Sequence, residues 1–293
     1  MKRCIRLYRV KTYLSIMRFS NSLLTGLTIV FSIIVYSKWM IDVNKIVIGF
    51  ITGYTGSASA MCINDYIDAP VDSINKPWKP IPSGLVNRRN VLYMSIALLL
   101  STILINVLIN YKTLLVASIY VLIAYTYSFL RKQWWSQLIV PLSTTAPLIY
   151  GYIVSNHPLE YLSFTVLFSA TMFSATLVRE IVKAIIDIEG DLKYNYSTIP
   201  IKYGLDNAKK LIIINTIVSV TLGYLSGLTI NYRSTLYFIL FTISSFIYLN
   251  NVFKAIKNID NKIILDKTRK NILIAMSIAL LAFLSISFQN KSY

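Results

Sequence analysis

Acidic residues are scarce in this chain, with 12 Asp and Glu against 29 Lys and Arg in 293 residues. Histidine occurs once, as His157, and cysteine twice, as Cys4 and Cys62. The two cysteines are far apart and in no metal-ligand spacing, so no disulfide is expected, and the shortage of His and Cys argues against zinc. Charged residues of both signs make up 14% of the chain and hydrophobic residues 55%. With a mean hydropathy of +0.59, that balance is too apolar for one or two soluble domains.

What the chain has in quantity is apolar runs long enough to cross a hydrocarbon core, which takes about 20 helical residues. Nine such spans are predicted: Asn21 to Trp39, Ile46 to Ile63, Val91 to Ile109, Leu114 to Leu130, Leu138 to Val154, Leu162 to Val178, Leu211 to Ile230, Leu236 to Phe253 and Ile272 to Phe288. The fold class is therefore all-α, a polytopic membrane bundle of nine helices forming one domain over residues 1–293. The third-to-fourth and fourth-to-fifth connections are short enough for tight helical hairpins.

A net charge of +17 would suit nucleic acid, but the basic residues stand in blocks beside the spans, so no nucleic-acid partner is expected. Nor is an obligate protein partner. Lys2, Arg3, Arg6, Arg9, Lys11 and Arg18 precede the first span, and Lys254, Lys257, Lys262, Lys267, Arg269 and Lys270 fill the connection before the last. The opposite side holds only Lys38, Lys45, Lys112, Arg233 and Lys291. The positive-inside rule then puts the N-terminus in the cytoplasm of a multi-pass cell-membrane protein. Met1 to Arg18 reads as a retained basic segment, because no small-residue cleavage site follows the first span.

The few acids concentrate in two clusters at cytoplasmic span ends. One is Asn64-Asp65-Tyr66-Ile67-Asp68-Ala69-Pro70-Val71-Asp72, the other Asp187-Ile188-Glu189-Gly190-Asp191. Asn64, Asp68 and Asp72 fall four residues apart and share a helix face, as do Lys183, Asp187 and Asp191, with Glu180 just off it. Pro70 either kinks that first helix or ends it, leaving Asp72 on a turn. Each cluster precedes a polar loop with Pro, Lys and Gly, running to Gly84 in one case and Gly204 in the other. This weak internal repeat would set two arms on one side of the bundle.

Carboxylates beside a membrane are costly unless they hold something, and oxygen-only donors favour Mg2+, which shares its shell with substrate phosphates. The interleaved cations Lys76, Lys79, Arg179, Lys183 and Lys193 suit the remaining phosphate oxygens. Loss of diphosphate from an allylic carbon would leave a carbocation for a nucleophile to trap. The bland alternative is that such acids cap helices or pair with lysines, as Asp260 and Asp266 are expected to do. His157 reads as a loop residue, Trp39, Trp78, Trp134 and Trp135 as interfacial anchors, and Tyr127 as packing or as an aromatic face beside the cation.

Over nearly its whole length the chain resembles the UbiA superfamily of intramembrane prenyltransferases. The first family motif is matched by Asn64, Asp65, Asp68 and Asp72, the second by Asp187, Gly190 and Asp191. Arg18 and Asn21 resemble the family's opening Arg-x-x-Asn, and Tyr127 with Arg131 its later Tyr plus basic residue. The segments 75–84 and 179–183 look most like the archaeal members that build ether lipids. That resemblance implies transfer of a geranylgeranyl group from its diphosphate to the hydroxyl of geranylgeranylglyceryl phosphate, a nine-helix fold and a lateral opening to lipid. It also implies Mg2+ on Asp68, Asp72, Asp187 and Asp191, support from Asn64, and phosphate contacts from Lys76, Arg131 and Lys183. The chain departs from that pattern at Ala184 and Ile186, where acids are usual and whose loss would either weaken metal binding or shift a ligand to Glu180 or Glu189, at Ser136 and Gln137, and at Asn195. The rivals are an aromatic acceptor, such as 4-hydroxybenzoate, another quinone precursor or haem, and a cation transporter. The transporter predicts carboxylates at the bilayer midplane rather than at span ends.

Overall fold

The computed structural model describes residues 11–40, 42–156, 158–230 and 235–289; Lys2, Arg3, Cys4, Arg6, Arg9, His157, Arg233 and Lys291 lie outside these. The described residues form helices, 3-10 turns and loops, with no strand. After a short helical stretch at 11–16 come α1 (Phe19–Tyr36), α2 (Val43–Asn75), α3 (Arg88–Ile105), α4 (Tyr111–Thr126), α5 (Ile139–Val154), α6 (Leu162–Lys193), α7 (Ile199–Leu228), α8 (Thr235–Lys257) and α9 (Lys262–Gln289). Nine membrane-crossing lengths among the described residues agree with the hydropathy pattern. Sequential neighbours pack together, and α9 returns to α1 to close the bundle.

Local chemistry sets the helix starts. Asp42, Asn87 and Asn110 each accept backbone N–H groups of the turn that follows, satisfying donors that a helix leaves open. Within the spans, Thr25, Thr28, Ser32 and Thr55 return their hydroxyls to carbonyls four residues earlier, so these four side chains bring no unsatisfied donor into the apolar layer. Leu104, Leu115, Ile217, Ile239 and Phe246 point outward as an apolar surface. The buried centre includes Phe164, Phe168 and Phe283, stacked at 5.3–5.6 Å between centroids.

Several boundaries differ from the expectation. α2 runs on to Asn75 and α6 to Lys193, because a helix satisfies its own backbone as it leaves the apolar layer while its acids turn inward. Pro70 lies inside α2 and does not end it. Proline has no N–H for the carbonyl of residue 66, and Arg88 Nε fills that place, donating to Tyr66 O at 2.9 Å with the guanidinium 4.4 Å from the Tyr66 ring.

The α4–α5 connection is not a tight hairpin; two 3-10 turns, Tyr127–Phe129 and Trp134–Leu138, carry it. The second polar loop is shorter than expected. α7 begins at Ile199 with Pro200 in its first turn and breaks at Gly204, whose φ of 80° suits glycine. The basic block before the last span is mostly helical, since α8 reaches Lys257 and α9 starts at Lys262.

Candidate active site

Three elements carry the acidic clusters and their partners to one rim: the end of α2, the end of α6 and the α4–α5 connection. Asp65, Asp68 and Asp72 are all buried on α2, and Asp191 on α6 is 2% exposed. Asn64 Nδ2 donates to Asp68 Oδ2 at 2.9 Å, and Ser128 Oγ reaches Asn64 Oδ1 at 3.5 Å. Arg131 then joins the clusters: Nη1 donates to Asp68 Oδ2 while Nη2 stands 3.8 Å from Asp191 Oδ1. Lys76 crosses the same gap from the first loop, donating to Asp187 Oδ2 at 2.9 Å. Lys79 divides itself between Asp65 (2.9 Å) and Asp72 (2.7 Å), and Arg18 lies 3.5 Å from Asp65.

Asp65, Asp68, Asp72, Asp187 and Asp191 thus share Arg18, Lys76, Lys79 and Arg131, which offsets the cost of burying them. Burial opposes charge on Arg131, but Tyr127, Asp68 and Asp191 outweigh it and push its pKa upward. The α6–α7 loop closes over this group. Tyr194 Oη donates to Pro70 O at 2.8 Å, and the Tyr196 ring lies 4.8 Å from the Arg131 guanidinium. Burial, with Asp68 nearby, raises the Tyr196 phenol to about 12, so it stays neutral. Asn195 between them adopts a left-handed φ of 55°, a conformation asparagine tolerates, which accounts for that departure.

Beneath the rim lies a cavity of about 300 Å3. Leu24, Ile29, Val116, Val121, Leu273 and Met276 give it an apolar wall, and Asn21, Asn64, Tyr127, Arg179, Glu180 and Lys183 its polar end. Glu180, 5% exposed, accepts from Arg179 Nη1 and Lys183 Nζ, each at 3.2 Å.

The expected site residues do not all gather here. Lys193 is exposed at the end of α6. Glu189 turns outward, 78% exposed, to Lys262 at 2.7 Å, and Glu180 is held by its own two cations, so neither takes the place left by Ala184 and Ile186. Asp266 pairs with Arg269 and Lys270, as expected of a solvated acid among basic residues. Trp39, expected as an interfacial anchor, donates Nε1 to Ser287 O at 2.8 Å. Sequence reading overlooked Tyr194, Tyr196, Arg269 and the role of Gln137. The buried Gln137 accepts the first backbone N–H of α7, at Ile199 (2.6 Å), and reaches the Glu180 carbonyl at 3.5 Å. Its place in a loop gave no periodicity to read.

The donors suit a hard cation. They are oxygen-only, and two buried carboxylate oxygens, Asp68 Oδ1 and Asp191 Oδ1, have no hydrogen-bond partner. Among the described residues no three acids, histidines or cysteines converge on one metal position.

The UbiA prenyltransferase family model matches residues 25–270. The chain belongs to this family. As a UbiA protein it is 30% identical to a digeranylgeranylglyceryl phosphate synthase of Methanosphaera stadtmanae, over 92% of this chain and 97% of that one. A solved structure described as giving insight into digeranylgeranylglyceryl phosphate synthase in membranes superposes with a TM-score of 0.74 at 27% identity, over 96% of this chain and 99% of that one. A UbiA homologue from Archaeoglobus fulgidus, solved with GPP and Mg2+, shares the fold at a TM-score of 0.66 and 19% identity, over 96% and 100% of the two chains.

Proposed function

We propose that this UbiA prenyltransferase, a single domain over residues 1–293, moves a geranylgeranyl group from geranylgeranyl diphosphate to the free hydroxyl of geranylgeranylglyceryl phosphate. The product carries the second ether bond of an archaeal membrane lipid. The observation that carries the reaction type is the meeting of both aspartate clusters, through Arg131 and Lys76, beside an apolar cavity lined by their partners Asn64 and Arg18. The likeness to named synthases over almost the full length of both chains supports the acceptor.

Asp68, Asp72, Asp187 and Asp191 would hold Mg2+, which when bound supplies positive charge to a diphosphate leaving group. The chain's own cations do the rest. Lys76, Lys79 and Arg131 stand at the same rim to take the phosphate oxygens, where charge develops as the allylic C–O bond breaks. The prenyl tail lies along the apolar wall, which keeps water from the carbocation. Tyr127 offers an aromatic face nearby. The acceptor hydroxyl then forms the new C–O bond and releases its proton. The basic residues of the rim and of the α8–α9 turn support a cytoplasm-facing site.

The test is product mass from the purified protein given geranylgeranyl diphosphate with either acceptor. A diether phosphate is expected. Product from 4-hydroxybenzoate alone would overturn the acceptor, and no prenylated product from any acceptor would overturn the reaction.

A further inference from the structure

Apart from Arg18, which serves both, the rim and the cavity hold different cations. Lys76, Lys79 and Arg131 sit on the aspartates. Arg179, Lys183 and Arg269 line the cavity instead, with Arg18 and Asn21 at its edge. Glu180 answers both Arg179 and Lys183. Asp266, 2.7 Å away and one turn earlier on α9, steadies Arg269, while Arg18 is shared with Asp65. Arg18, Arg179 and Arg269 line this one cavity from the residue before α1, from α6 and from α9. Arg179 also keeps a buried Nε with no hydrogen-bond partner. Among the described residues Glu180 is the one acid lining the cavity against Arg18, Arg179, Lys183 and Arg269, and an anionic ligand would balance that excess of positive charge.

We infer that Arg179, Lys183 and Arg269, with Arg18 at the edge, form a monophosphate subsite that seats the acceptor's phosphate inside the cavity, apart from the diphosphate at the acidic rim. This rests on the acceptor proposed above. An acceptor with one phosphate and one free hydroxyl reacts well only if the phosphate is fixed so that the hydroxyl faces the allylic carbon. Planar guanidinium forks hold phosphate oxygens in pairs and so fix direction as well as position. Donor and acceptor both bring phosphate, and the two cation sets would sort them.

The experiment compares geranylgeranylglyceryl phosphate with its dephosphorylated alcohol as acceptors, in wild-type enzyme and in Arg179→Gln, Arg269→Gln and Arg269→Lys. The expected result is a fall of about 10- to 100-fold in the preference for the phosphorylated acceptor, expressed as a ratio of kcat/KM values, in both Gln variants. Arg269→Lys should recover part of it, and the rise in KM should fall on the acceptor. A preference unchanged from wild type, or a rise in KM confined to the diphosphate, overturns the subsite. Arg269 is partly exposed, so its variants carry the test if Arg179→Gln does not fold. Failure of the underlying reading looks different, because wild type itself would then ignore the phosphorylated acceptor.

Discussion

Asp68 accepts from Asn64 and Arg131 through Oδ2 while Oδ1 stays buried and unpartnered. Asp68→Asn preserves the shape and keeps an oxygen for Arg131, but removes the charge a hard cation requires. Product formation is expected to fall by at least about 100-fold, while gel filtration in detergent shows a folded protein. Turnover within about threefold of wild type would remove Asp68 from the reacting group. Gln137 shows how a residue remote from the chemistry matters: one amide holds both the start of α7 and the backbone of Glu180.

At the scale of elements, α2 depends on a side chain from α3. Arg88 supplies the hydrogen bond that Pro70 cannot, in the turn that carries Asp68 and Asp72. Arg88→Met keeps the apolar contact to Tyr66 but loses the donor. Because Arg88 is exposed, the expected loss is about 1 kcal/mol, read as a lower thermal midpoint in detergent together with a reduced kcat. An unchanged midpoint and kcat would show that water satisfies the Tyr66 carbonyl equally well.

The contact of α5 with α1 is as tight as backbone allows. A Cβ on Gly151 would lie 2.2 Å from Ser32 Cβ and 3.1 Å from Ile33 N. Gly151→Val should therefore separate the helices and cost about 1–3 kcal/mol. Differential scanning fluorimetry would check this, and a variant as stable as wild type would show that the two helices are not clamped there.

At the scale of the whole molecule, the described helices enclose a cavity with a polar end, and charge is distributed around it in layers. Acids with Lys76, Lys79 and Arg131 form the rim, Arg18, Arg179, Lys183 and Arg269 the polar end of the cavity, and apolar side chains the wall. Removing divalent cations with EDTA should abolish transfer, and Mg2+ should restore it better than Zn2+, because the donors are all oxygen. Activity that persists in EDTA would show that Arg and Lys alone draw off the diphosphate.

Composition and periodicity determined the nine-helix bundle, because apolar runs of spanning length have few other structures open to them. They also located both aspartate clusters, since carboxylates at the ends of such runs stand out against so apolar a chain. Only the tertiary structure decided who holds whom. Arg131 lies in an irregular connection, so its position does not signal partners on distant helices, and the place of Arg269 in a basic block does not signal that it lines the cavity. Tyr194 and Tyr196 close the site from the second polar arm, where the sequence assigned a role to Lys193 and none to these two rings. Helical spacing fixes neighbours three or four residues apart, whereas contacts across the bundle depend on how whole helices pack, and that sum over many side chains is written at no single position.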